Sequence, residues 1–245
     1  MPDKHPTYKQ SCVTEALCEI HFDLPPSTEW KEEWYGDYFK VINENFPKME
    51  PRPTVELSGT WGPTGFIPST PGQRIKMIYK NKDRNNVIQL TPNILTINEL
   101  KPYLGWDVFY KDIEYAWGKA VGIIKPAFVK RIGLRYINTI TKEDKNEKIG
   151  DWLNKSKYYP DNILQCENAY FNRFEHVLNN TRRIITIGEP NKTNVDIVLD
   201  IDVILEKQID LTWANLLAQF ETLHELCWDV FSSSLTQKLK KKLET

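Results

Sequence analysis

Two sets of charged residues have the types and spacing to do chemistry. In Lys130–Ile140, KRIGLRYINTI, Arg131, Gly133, Arg135, Ile137 and Thr139 alternate with an apolar-biased set, the period of a strand. Two arginines four residues apart on a strand point the same way, roughly 13 Å apart along it. A guanidinium is costly to bury alone, so the pair requires carboxylate partners or an anionic ligand. Val13–Asp23, VTEALCEIHFD, supplies Glu15 and Glu19 at the same spacing. Antiparallel pairing of the two strands predicts Glu15 against Arg135 and Glu19 against Arg131, because opposite charges across a strand pair favour one register. Such a ladder serves either as structural ion pairing or as a site for an anion or a partner.

The second set lies in Val195–Glu206, VDIVLDIDVILE, where Asp196, Asp200 and Asp202 share a face opposite a wholly aliphatic one. Carboxylates on one strand face can hold a divalent metal, as in nucleases, with Arg131 and Arg135 as phosphate-binding groups. The alternative is the polar side of a half-exposed strand. A third, basic group consists of Arg74, Lys76, Lys80, Lys82 and Arg84 around one hairpin, interleaved with Tyr79. A basic hairpin with an aromatic can track a phosphate backbone; lysines also guard solvated sheet edges. Trp61, in a Gly/Pro-rich loop, is a candidate partner contact.

Several chemistries lack their motifs. Neither the Gly-x4-Gly-Lys-Ser/Thr phosphate loop nor Gly-x-Gly-x-x-Gly nor Gly-x-Ser-x-Gly occurs. The histidines, His5, His21, His176 and His224, are not spaced as zinc ligands. No cofactor is expected, and His224 reads as a core histidine on an apolar helix face. Antiparallel phosphate-handling tunnels line their strands with alternating Glu and Arg/Lys. Glu15/Glu19, Arg74/Lys76, Arg131/Arg135 and Asp200/Asp202 supply those types, but not in a dense Glu-x-Glu-x-Lys pattern.

The elements that must position these residues follow from periodicity and punctuation. The chain has 245 residues, 40% hydrophobic and 27% charged, with a net charge of -1. That balance suits an ordinary globular protein and gives no global basic excess for nucleic-acid binding. Cys12, Cys18, Cys166 and Cys227 are scattered and form no Cys-x-x-Cys pair, which predicts free thiols in a reducing cytosol. The start, MPDKHPTYKQ, is not built like a secretory leader, and no 18-residue apolar run occurs, so a cytoplasmic protein without membrane contact is expected.

After the first strand, Ser27 or Thr28 is expected to cap a helix ending at Pro47. Strands are predicted over Thr54–Trp61, Arg74–Asn81, Asn86–Thr91 and Ile94–Glu99, then a helix over Trp106–Lys125. Beyond Pro126 come the arginine strand, a short helix at Ile149–Lys155, strands over Asp161–Arg173, Thr181–Glu189 and Val195–Glu206, and a helix from Thr212 to Leu243. Asn179–Asn180 is read as a turn and Asn191–Asn194 as a loop. The fold class is α+β: antiparallel sheet with helices on one face, in two pseudo-repeated β-α-β-β-β-α halves, 1–126 and 127–245.

Three segments carry a resemblance: VTEALCEIHFD, KRIGLRYINTI and the closing LHELCWDVFSSSLT. In order and spacing they resemble a sporadically distributed prokaryotic family of proteins of about this length, without an established activity. The family's first strand usually has a proline ahead of the glutamates; here Cys12-Val13 precedes Thr14-Glu15. The patchy occurrence implies mobile or accessory genes of the antiviral-defence or toxin–antitoxin kind. The expected function is therefore a non-catalytic accessory component that contacts a protein partner, in a hetero-complex or homodimer, with nucleic acid as a further ligand. The alternative is a metal-dependent or phosphate-processing enzyme.

Overall fold

The computed structural model describes residues 5–6, 8–56, 59–62, 65–68, 72–166, 170–189 and 196–245, with only the chain path over 54–56, 59–62, 65–68 and 72–74. The expected loop at Asn191–Asn194 and the side chains of Trp61 and Arg74 lie outside the described residues.

The chain is α+β. Its strands are β1 (Val13–Asp23), β2 (Lys48–Glu56), β3 (Gly59–Gly62), β4 (Gly65–Pro68), β5 (Gly72–Lys80), β6 (Asn86–Thr91), β7 (Ile94–Leu100), β8 (Phe128–Thr141), β9 (Phe171–Leu178), β10 (Thr181–Gly188) and β11 (Asp196–Ile209). Its helices are α1 (Glu33–Ile42), α2 (Trp106–Ile124), α3 (Ile149–Trp152), α4 (Trp213–Ser234) and α5 (Gln237–Glu244). Nine strands form one antiparallel sheet in the order β2-β5-β6-β7-β1-β8-β11-β10-β9, and β3 and β4 form a separate ladder. The strand with the glutamates therefore pairs with the strand carrying the arginines, at the middle of the sheet.

Alternation assigns each strand two faces. Ala16, Cys18, Ile20 and Phe22 of β1, Ile132 and Leu134 of β8, and Ile197, Leu199, Ile201 and Val203 of β11 are buried in the core. The helices join this same side. Cys227 of α4 lies against the Leu134 carbonyl, Tyr79 of β5 donates to the Tyr35 carbonyl of α1, and Tyr38 of α1 donates to the Ala116 carbonyl of α2. Glu15, Glu19, His21, Arg131, Arg135, Asp200 and Asp202 fall on the opposite face, helix-free among the described residues.

Four expectations need correction. The first helix starts at Glu33 rather than at Ser27 or Thr28, because Pro25–Thr28 closes a turn with Ser27 at φ 62, a conformation that no helix continues. The strand expected over Thr54–Trp61 runs over Lys48–Glu56 instead. Its prolines, Pro51 and Pro53, suit an edge strand, where a missing N–H leaves no ladder bond unmade. Asp161–Gln165 is a 3-10 turn, and the strand follows at Phe171–Leu178. The closing helix breaks after Ser234: Leu235 bridges to Leu153, and Thr236 restarts the helix by accepting from the Leu239 N–H at 3.2 Å.

The Asn179–Asn180 turn is as expected, with φ 50 and 62, the left-handed pair that matches a two-residue hairpin to strand twist. The sheet has two outer strands. β2 carries the prolines, and β9 exposes Phe171, Val177 and Leu178 at 75%, 67% and 62%.

Candidate functional site

Three adjacent strands, β1, β8 and β11, set four acids, two arginines and a histidine on the helix-free face. The β1–β8 register places Leu17 opposite Arg135 and His21 opposite Arg131, two residues away from the expected pairing. A two-residue offset keeps every side chain on its face but changes its partners. Arg135 reaches Asp200 on the other side, donating Nε to Oδ1 at 2.8 Å and Nη2 to Oδ2 at 2.6 Å, a bidentate fork. The expected Glu15–Arg135 contact is therefore replaced; Glu15 accepts a short hydrogen bond from Asn98 Nδ2 on β7, and Asn98 accepts from Gln89 at 2.8 Å.

Arg131 does meet Glu19, Nη1 to Oε2 at 3.2 Å, and also contacts His21 Nε2. His21 Nε2 lies 3.2 Å from the same Glu19 oxygen. The His21 hydrogen bond, and then Arg131, hold the Glu19 carboxyl below its ordinary range, against the opposing effect of burial. Asp202 is the exception in this lattice. It forms no hydrogen bond or ion pair among the described residues, and burial pushes its carboxyl up to about 6, with Arg135 only partly opposing.

The acidic strand does not assemble a metal centre. Asp200 is committed to Arg135, and Asp196 accepts from Thr141 Oγ1 at 2.6 Å, one strand spacing of four residues away. Among the described residues no group of three His, Cys, Asp or Glu side chains could hold a metal ion.

The basic hairpin is rearranged by alternation. Tyr79 is fully buried on the helix side, its hydroxyl 2.9 Å from the Tyr35 carbonyl, so it cannot stack on a ligand base. Arg84 pairs with Asp112 of α2 at 2.7 Å and with Glu99 at 3.0 Å, tying that helix to the β6–β7 hairpin. Lys76 and Lys80 remain on the helix-free side, Lys80 paired with Glu50 at 2.7 Å. Across the ladder, Lys48 faces Lys80 and Arg52 faces Lys76. Those two β2 residues were missed because the strand was expected to begin only at Thr54. His224 is buried, with Nδ1 3.2 Å from the Tyr136 hydroxyl, as a core histidine should be.

Among the described residues the sheet is linear, β2 pairing only with β5 and β9 only with β10, so these nine strands do not close on one another there. Among the described residues no helix is long and apolar enough to cross a membrane.

No family model and no curated protein matches the chain. Among solved structures the chain is similar to the S. pombe Pct1 RNA triphosphatase at 9% identity, over 88% of this chain and 79% of that one, with a TM-score of 0.14. The same triphosphatase in complex with the Spt5 CTD aligns at 9% identity, over 94% and 81%, again with a TM-score of 0.14. A score that low does not equate the folds.

Proposed function

We propose that the protein acts by binding rather than by catalysis, and that its recognition surface is the helix-free face at β1, β8 and β11. The observation that carries this reading is Asp202. In a lattice where Arg135 and Arg131 each have a carboxylate, Asp202 alone has no cation or donor of its own among the described residues. A partner protein that brings a lysine or arginine to this point would complete the lattice, gaining a charge-assisted hydrogen bond and relieving a desolvated carboxyl.

The flank formed by Lys48, Arg52, Lys76 and Lys80 suits a phosphate backbone, so nucleic acid is the second ligand class of this reading. The accessory role in a prokaryotic defence or toxin–antitoxin module rests on the resemblance of the three sequence segments. Four free cysteines support a cytosolic setting.

The order of strands supports a duplicated origin. From the centre outwards, β1-β7-β6-β5 on one side corresponds to β8-β11-β10-β9 on the other, each half starting with its first strand and continuing with its last, and β2 adds a fifth strand to the first half. The recognition surface then straddles the junction of the halves, at 1–126 and 127–245.

The test is affinity capture of the tagged chain from its native host, with mass spectrometry and nucleic-acid extraction of the eluate. Wild type is compared with Asp202→Asn and with Lys76→Glu/Lys80→Glu. A stoichiometric protein whose recovery falls by at least about tenfold in Asp202→Asn supports the reading. A nucleic acid lost only from the lysine variant assigns the basic flank. A partner kept equally by both variants overturns the assignment of this face. A clean eluate turns attention to the phosphate-processing alternative.

A further inference from the structure

A second site lies on the other side of β8, beyond the reading above. A cavity of about 160 Å³ opens where three distant segments meet: Pro6, Tyr8 and residues 10–13 near the start, residues 103–106 at the entry to α2, and α4 between His224 and Phe231. The first segment is tied in place. Gln10 donates its N–H to the Leu243 carbonyl at 3.0 Å, Thr139 donates to the Cys12 carbonyl at 2.8 Å, and the His5 ring stacks on Trp228 at 4.5 Å.

The lining has a definite chemistry. Tyr8, Trp106, Trp228 and Phe231 supply aromatic walls, and among the described residues no Lys, Arg, Asp or Glu contributes to it. At one end the polar groups converge. The Tyr103 and Tyr136 hydroxyls lie 3.3 Å apart, and Tyr136 is 3.2 Å from His224 Nδ1. The His224 ring is fixed by stacking on Trp106, with centroids 4.3 Å apart and planes inclined by 8°. A hydroxyl can turn to donate or accept, so this chain of groups can meet either sense of hydrogen bond.

These features select a ligand class. An apolar cavity of ~150 Å³ is large enough for a benzene-sized guest. A charged guest would find no counter-charge among the described lining residues. Aromatic walls favour a flat face, and the polar end favours a substituent at one edge. We infer that this cavity binds a neutral, planar, single-ring aromatic or heteroaromatic molecule that presents a hydrogen-bonding group to Tyr103 and Tyr136.

The experiment titrates the full chain with phenol, with cytosine, and with toluene as the phenol analogue lacking the polar group. Calorimetry and thermal shift are the readouts. Phenol or cytosine should bind saturably, with a dissociation constant on the order of 0.1–1 mM for so small a guest. Whichever binds more tightly tells a phenolic source from a nucleobase one. Tyr103→Phe should weaken that binding by about fivefold to tenfold and leave toluene unchanged. Should Tyr103→Phe lose its fold by circular dichroism, Leu104→Trp carries the test, because Leu104 is an exposed lining residue whose enlargement should cut affinity at least about tenfold. Absence of saturable binding by both phenol and cytosine, or binding that neither folded variant alters, would overturn the inference.

Discussion

Asp202 and Asp200, two residues apart on one strand face, show how neighbours decide the behaviour of a side chain. Asp200 is clasped by Arg135, whereas the Asp202 carboxyl rises from 3.8 to about 6 because burial disfavours its charge. With the folded value above the unfolded one, the favourable contribution of Asp202 is fully present below about pH 3.8 and is lost as pH rises through about 6. Asp202→Asn cannot ionise. It should match wild type at pH 3.5 and exceed it at pH 8 by about 1–2 kcal/mol, less than the full shift implies because the site is only partly buried. Urea unfolding at both pH values checks this, and a pH-independent difference would refute it. Arg135→Ala should cost more than Arg131→Ala, about 2–3 kcal/mol against about 1, because only the former strands a nearly buried carboxylate from a bidentate fork. Equal losses in denaturant midpoint would contradict that order. The sequence revealed which face these residues occupy, because alternation fixes it. It revealed one pair, Glu19 with Arg131, but not the partner of Arg135, because a two-residue slip preserves every face. Asp200, the partner of Arg135, was weighed as a metal ligand, a tunnel-lining acid or part of a solvated strand face, but not as the mate of an arginine.

At the level of elements, β1, β6, α2 and β8 were legible because each has a clean period and a hard stop. β2 was not, since edge position, which excuses its prolines, is a property of the whole sheet. The break between α4 and α5 was hidden for a similar reason: Leu235 leaves the helix to pair with Leu153, a residue distant in sequence. The same distance hides the contact that joins the ends of β8 and β10. Lys142 Nζ donates to Glu189 Oε1 at 2.9 Å, and both side chains are 2% exposed. Neither residue was marked as a pair by spacing. Lys142→Met would leave the Glu189 carboxylate without this cation, at a cost of about 3–5 kcal/mol, while Lys142→Met with Glu189→Leu should recover most of it. A double-mutant cycle in guanidinium measures the coupling, and additive losses would show that the pair is not a unit. In contrast, the exposed Lys40–Asp37 pair on α1 can be removed without measurable change.

For the whole molecule, the central β1–β8 pairing ties the first half of the chain to the second. The helices repeat the tie: Trp106 of α2 donates to Glu221 of α4 at 3.3 Å and stacks on His224. Unfolding should therefore be a single cooperative event, with tryptophan fluorescence and far-ultraviolet circular dichroism giving coincident curves. Separated midpoints would mean that 1–126 and 127–245 are independent. The antiparallel sheet with helices was readable from the alternating strands, but the cavity was not, because its walls come from residues as far apart as Tyr8 and Phe231. The two outer strands carry a last consequence. Prolines at 51 and 53 deprive β2 of donors, so a foreign strand finds little there to copy. β9 has no proline, and its Phe171, Val177 and Leu178 stand in water. Misassembly on long incubation should therefore use one rim of the molecule only, joining two copies through β9 and stopping there, because β2 offers no second edge. Val177→Lys should reduce the dimer fraction seen by size-exclusion chromatography while leaving the unfolding midpoint in place.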